Sequence, residues 1–197
     1  MLRIILIFII FLNLKSLTNA DDITDFEIEG MSLKDSLLNF MSSKQINEAL
    51  ESEYAYFYED KFVTISTWDI KDKYEIYDNV GVVLKQNDLS YTIYGLEGLL
   101  ITHDGIIENC YKKQEIIAND ILEITGDKYS LNSWFLEKNR RKKHQLNVKY
   151  IDFISTNNSK RPISIVCMDI NRDGDKYTRL VVAIDSDEFD KYLDTVF

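Results

Sequence analysis

Val80-Gly-Val-Val-Leu-Lys85, Gln86-Asn-Asp-Leu-Ser90 and Tyr91-Thr-Ile-Tyr-Gly-Leu-Glu-Gly-Leu-Leu-Ile101 form the stretch from which the fold is read. The first and third runs are rich in aliphatic and β-branched residues, which suit a pleated, buried strand. Asn87-Asp88 supplies turn chemistry between them, so the two runs read as an antiparallel hairpin. Asp104-Gly105 marks the next turn. Ile107, Cys110, Ile117, Ile121 and Ile124 then fall near one stripe of a helix of about four turns, and Gly126 is the natural residue to end it. Lys112 and Lys113 lie on its opposite, wet face.

Residues 127–146 are the least regular part of the chain. Beyond them Val148–Ile154 reads as a strand, and Ile163–Ile170 pairs with Tyr177–Ile184 as a second hairpin across Asn171–Asp175. Ser186 caps a final amphipathic helix carrying Phe189, Tyr192 and Leu193. On the N-terminal side, Asp25–Glu29 alternates as a short strand ended by Gly30. Ser32–Asp35 resembles a capping box opening a helix with Leu33, Leu37, Leu38 and Met41; Ser42–Gln45 repeats the signature before Ile46 and Leu50. Tyr54–Thr67 is aromatic and β-branched. The expected fold class is α+β: a mainly antiparallel sheet with helices packed on one face, in one domain spanning residues 21–197. Helix followed by hairpin occurs twice, in 33–101 and 107–184, without residue-by-residue alignment.

Composition narrows the function classes. Of 197 residues 45% are hydrophobic, and 12 tyrosines and 10 phenylalanines need a core, which excludes a disordered chain. Seven glycines and two cysteines exclude collagen-like and disulfide-dense scaffolds. The net charge of −10 opposes nucleic-acid binding, because phosphate repels such a surface.

The N-terminus carries an address. Arg3 precedes the unbroken apolar run Ile4–Leu12, and Thr18-Asn-Ala20 places small residues where a signal peptidase cleaves, so residues 1–20 read as a secretory signal peptide. The apolar run is shorter than the ~20 residues that span a bilayer, and no later stretch is apolar enough to do so. Cleavage after Ala20 removes Arg3 and Lys15 and takes the net charge from −10 to −12. In an oxidising compartment Cys110 and Cys167 are expected to be bonded, the alternative being two buried thiols.

Few residues point to chemistry. Asp169, Asn171 and Asp173, followed by Gly174, match the first half of a calcium loop, but Leu180 stands where the bidentate Glu belongs. The flanks read as strands, so a polar hairpin tip is the expectation and no metal or cofactor is assigned. Lys138-Asn-Arg-Arg-Lys-Lys-His144 holds five cations in a mature chain that is otherwise −17. Arg140, Arg141, Lys142 and Lys143 are therefore candidates for docking on an anionic surface, polymer or acidic partner; a solvated loop over the protein's own acids is the alternative. Tyr54, Tyr56, Phe57, Tyr58 and Phe62 suit either a sugar or lipid groove or a packed strand face. His103 beside Asp104 reads as a strand end and turn, and no nucleophile elbow, zinc helix or phosphate loop is present.

Phe26-Glu-Ile-Glu-Gly-Met-Ser-Leu-Lys-Asp-Ser-Leu-Leu38, Glu108-Asn-Cys-Tyr-Lys-Lys113, Ile165-Val-Cys167 and Glu188-Phe189 together resemble segments of a group of uncharacterised small exported proteins from AT-rich marine bacteria. The resemblance implies export and an α+β fold and carries no activity. The expected function is that of a periplasmic or secreted, non-catalytic binding protein. An envelope hydrolase using dispersed carboxylates, or a lipid or small-ligand carrier, are its alternatives.

Overall fold

The computed structural model describes residues 26–140, 144–158, 160–172 and 175–196. The expected signal peptide therefore lies outside the described residues. Among them no helix is long and apolar enough to cross a membrane.

The chain opens with a two-residue ribbon, β1 (Glu27–Ile28) against β2 (Met31–Ser32), turned by Glu29 and Gly30 at φ 53° and 76°. Helix α1 (Ser43–Glu51) follows, then the meander β3 (Tyr56–Tyr58), β4 (Phe62–Ser66), β5 (Asn79–Lys85) and β6 (Ile93–Thr102). The pattern repeats with helix α2 (Ile107–Thr125) and the meander β7 (Tyr129–Arg140), β8 (His144–Ser155), β9 (Ile163–Arg172) and β10 (Asp175–Asp185). Helix α3 (Asp187–Val196) closes the chain. The eight strands form one antiparallel sheet in the order β3-β4-β5-β6-β10-β9-β8-β7. Each half is thus a helix followed by four strands, and the halves join through their last strands, with Ala183 opposite Glu97 at the seam.

Alternation within the strands divides the sheet into two faces. One face carries the rows Ile65-Val82-Leu96-Ile184-Ile163-Phe153 and Val80-Gly98-Val182-Ile165-Ile151, which follow from the cross-strand register. These residues form the main core, with Leu37, Met41, Ile46, Cys110 and Ile121 from the helical side. The expected disulfide is present: Cys110 on α2 is bonded to Cys167 on β9. Gln114, fully buried one turn further on, donates from Nε2 to the carbonyls of Ile165 (2.7 Å) and Lys149 (3.0 Å), which fixes α2 over β8 and β9.

Three expectations need correction. Leu33–Met41 is not a helix. The Ser32 N–H meets the Asp35 carboxylate, closing a local turn, and only Leu37–Asn39 forms a 3-10 turn, capped by Ser36. By contrast the Ser42–Gln45 capping box forms both of its hydrogen bonds. Residues 127–146, read as irregular, contain the twelve-residue strand β7; as the sheet's outermost strand it has no buried face to impose alternation. Finally, α3 packs on the other side of the sheet from α1 and α2, because Phe62 and Val83, its contacts, alternate with the core residues Val63, Val82 and Leu84.

That second contact is aromatic. Phe62 meets Phe189, Tyr192 and Tyr94 with ring centroids 5.1–5.5 Å apart. Lys85 lies over the Tyr94 ring at 4.5 Å and pairs with Glu188 at 2.9 Å; side-chain hydrogen bonding to Tyr94, then to Glu188, raises its pKa.

Candidate functional site

The face turned away from α1 and α2 carries the unusual chemistry. Pairing places Ser66, Gly81, Glu97, Ala183, Ser164, Asp152 and Asn132 in one row, a polar or small residue on each of seven consecutive strands. At about 4.8 Å per strand the row runs about 29 Å. A parallel row, Asn79-Leu99-Val181-Val166-Tyr150-Trp134, is apolar and aromatic over most of its length. Leu99, Val181, Ala183, Ser164 and Tyr150 are half-buried, so this surface is accessible although α3 covers one end of it.

Glu97 and Asp185 sit one step apart on the central strands. Each carboxylate lies over a glycine of the next strand. A Cβ at Gly95 would stand 2.7 Å from the Asp185 Oδ1, and one at Gly81 would stand 3.2 Å from the Glu97 Oε2. Burial pushes the Glu97 carboxyl above its usual range. Burial also lifts Asp185, and further, because the negative charges of Glu97 and Asp190 add to it. Neighbouring Tyr58 is pushed up to about 12, chiefly by burial; a hydrogen bond from Thr64 opposes this, while Glu97 and Asp185 add to it. The group favours protons on its carboxylates.

Asp152, three strands away from Glu97, is structurally committed. It is buried and accepts the Ser164 hydroxyl (2.8 Å) on one oxygen and the Trp134 indole N–H (2.6 Å) on the other. Trp134 in turn stacks flat on Tyr150, centroids 3.9 Å apart and planes 2° from parallel. The carboxylate therefore holds a two-ring shelf in place at the outer edge of the sheet.

Residues singled out from sequence fare unevenly. Arg140 ends β7 beside the turn into β8, while Arg141, Lys142 and Lys143 lie outside the described residues. Tyr54, Tyr56 and Phe57 are exposed on or beside the edge strand β3, whereas Tyr58 and Phe62 pack with α3. Asp169 and Asn171 pair with Thr178 and Lys176 within the hairpin ladder, as a polar hairpin requires; Asp173 and Gly174 lie outside the described residues. His103 ends β6 near Tyr177, and Asp104 accepts from the Ile106 N–H and the Asn109 amide, which hold its carboxyl below the usual range. Among the described residues no three of His, Cys, Asp and Glu converge as metal ligands. A hollow of about 280 Å³ opens on the α2 side, lined by Leu100, Thr102, Asn109, Lys113, Thr178 and Leu180.

Sequence reading missed Glu97, Asp185 and Asp152. A weak signal existed: each acid has apolar or glycine neighbours in the chain, as in Gly95-Leu-Glu-Gly98, Tyr150-Ile-Asp-Phe153 and Ala183-Ile-Asp185.

No protein-family model matches the chain, and neither a curated protein nor a solved structure matches it.

Proposed function

We propose that the protein is exported to the periplasm or beyond and binds, without catalysis, an extended envelope polymer along the sheet face turned away from α1 and α2. The observation that supports this reading most strongly is the row of polar and small residues from Ser66 to Asn132, one on each of seven consecutive strands. Hydroxyl, amide and carboxyl groups spaced along about 29 Å of sheet surface suit a chain laid across the strands, not a small molecule held in a pocket. The half-buried Leu99, Val181 and Tyr150 beside the row offer apolar contact to the same partner. The Cys110–Cys167 bond supports an oxidising destination, because such bonds rarely persist in the cytosol.

The test is co-sedimentation of the purified protein with peptidoglycan sacculi. Binding is expected, and Ala183→Arg with Ser164→Arg, both in the middle of the row, should abolish it. Retained binding in that variant, or none in the parent protein, overturns the proposal. Binding instead to anionic vesicles, lost on neutralising Arg140, Arg141, Lys142 and Lys143, would transfer the function to the basic run. N-terminal sequencing of the native product should begin at Asp21.

The coupled Glu97–Asp185 pair favours a second reading, a carboxylate hydrolase acting on the same polymer, since acids with raised pKa values recur at catalytic sites. Soluble fragments released from sacculi by the parent protein, and not by Glu97→Gln, would establish it.

A further inference from the structure

We propose that β7 is a self-pairing edge through which two copies of this chain join into a twofold dimer. The two ends of the sheet differ sharply. β3, at one end, is three residues long, whereas β7, at the other, has twelve, and among the described residues no strand lies beyond it. An outer strand presents a row of N–H and C=O groups that another strand can take up, and proteins normally blunt such edges with charge, proline, a bulge or shortness. β7 has none of these over its first eight residues. Tyr129-Ser-Leu-Asn-Ser-Trp-Phe-Leu136 contains no charge and no proline, and its pairing with β8 runs residue for residue without a register shift. Its large side chains are wet: Leu131 is 41% exposed, Trp134 36% and Phe135 65%. An uncharged eight-residue stretch of edge with exposed aromatic residues is an edge to be covered by a strand.

The strand that fits is β7 of a second copy. Parallel self-pairing would set Lys138 and Arg140 beside their own kind. Antiparallel pairing about a twofold axis carries these basic ends to opposite extremes of the interface. A twofold axis keeps like faces together, so residues of the same parity must oppose each other. Centring the pairing on Trp134 sets that residue opposite Trp134 of the partner copy, with Asn132 opposite Leu136 and Ser130 opposite Lys138. The Tyr150–Trp134 stack already runs across the strands toward this edge, and the second Trp134 extends it. The contact closes on itself: among the described residues the opposite edge of the eight-stranded sheet, β3, is too short to propagate a chain of copies. The joined sheets would extend the face turned away from α1 and α2, but the dimer stands whether or not that face binds a polymer.

Sedimentation equilibrium of the disulfide-bonded protein between 1 and 100 µM tests the proposal. The expected mass is twice that of the chain. Leu131→Lys with Phe135→Lys places charge on two exposed positions and should leave a monomer at 100 µM whose far-ultraviolet circular dichroism matches that of the parent. Trp134→Cys should give a dimeric band on a non-reducing gel, which Ser133→Cys should not, because only residue 134 faces its own copy. A parent protein that is monomeric at 100 µM overturns the proposal, as does a lysine variant that remains dimeric. Assemblies larger than a dimer overturn the closed twofold.

Discussion

Reducing the Cys110–Cys167 bond should cost the fold a large part of its stability. The bond closes a loop of sequence separation 57, which contains most of α2 and all of β7 and β8. In the loop-entropy treatment that closure removes about 14 cal/mol/K from the unfolded chain, or about 4 kcal/mol at 25 °C. A domain of this size has only about 5–15 kcal/mol in total, and each kcal/mol moves its melting temperature by about 2–4 °C. Reduced protein should therefore melt about 8–16 °C below the oxidised form. Both sulfur atoms are almost fully buried, at 4% and 0% exposure, so Cys110→Ala with Cys167→Ala adds a packing loss to the lost crosslink. The reduced parent protein retains the sulfur volume and isolates the crosslink. Calorimetry in the presence and absence of dithiothreitol, with free thiols counted, makes the comparison. Amide exchange should quicken first in β7 and β8, the strands inside the loop. A fully reduced protein melting within about 2 °C of the oxidised one would refute the reasoning, since the loop would then already be constrained in the unfolded chain.

Three further outcomes follow from the geometry. Asp185 keeps in the folded state a proton that it releases when unfolded, so its contribution is most favourable in acid and is lost as pH rises from the ordinary carboxylate range through its raised value. Asp185→Asn should accordingly gain stability over the parent as pH climbs from 4 to 8, read from urea midpoints; a difference that stays flat with pH contradicts the assignment. Asp152→Ala strands the Ser164 hydroxyl and frees the Trp134 indole, and because Trp134 can still reach water the loss should be about 1–2 kcal/mol, with collapse of the tryptophan bands in near-ultraviolet circular dichroism. Gly98→Ala places a Cβ 2.5 Å from the Tyr77 ring across the core face, so it should cost about 1–3 kcal/mol, and Tyr77→Leu in the same chain should restore part of that in thermal melts.

The elements differ in how plainly they were written. β5 and β6 were readable because both lie in the middle of the sheet and most of their residues are apolar. α2 was readable from its stripe and its Gly126 end, although the buried line runs through Cys110, Gln114, Ala118 and Ile121 and leaves Ile116 and Ile124 exposed. β7 was hidden because an outermost strand is wet on both faces and its alternation carries no contrast. The Ser32–Asp35 signature misled because the carboxylate that completes a capping box also closes a local turn, the Asp35 side chain accepting from the Ser32 N–H. Of the candidate site, the three acids did not stand out, since in a chain with 33 Asp and Glu residues apolar neighbours are a weak reason to prefer them.

The sequence by itself determined the α+β class, the antiparallel hairpins, the cap of α1 and the two cysteines that would meet, because each depends on periodicity and residue chemistry within a few turns of chain or on there being only one possible pair. Only the tertiary structure decided that β6 and β10 meet at the centre, that α3 crosses to the opposite face, and that Glu97, Ser164 and Asp152 share one row with Asp185 beside it. Cross-strand register is the reason. It pairs residues far apart in the chain, and a slip of one position would send each of these side chains to the other side of the sheet.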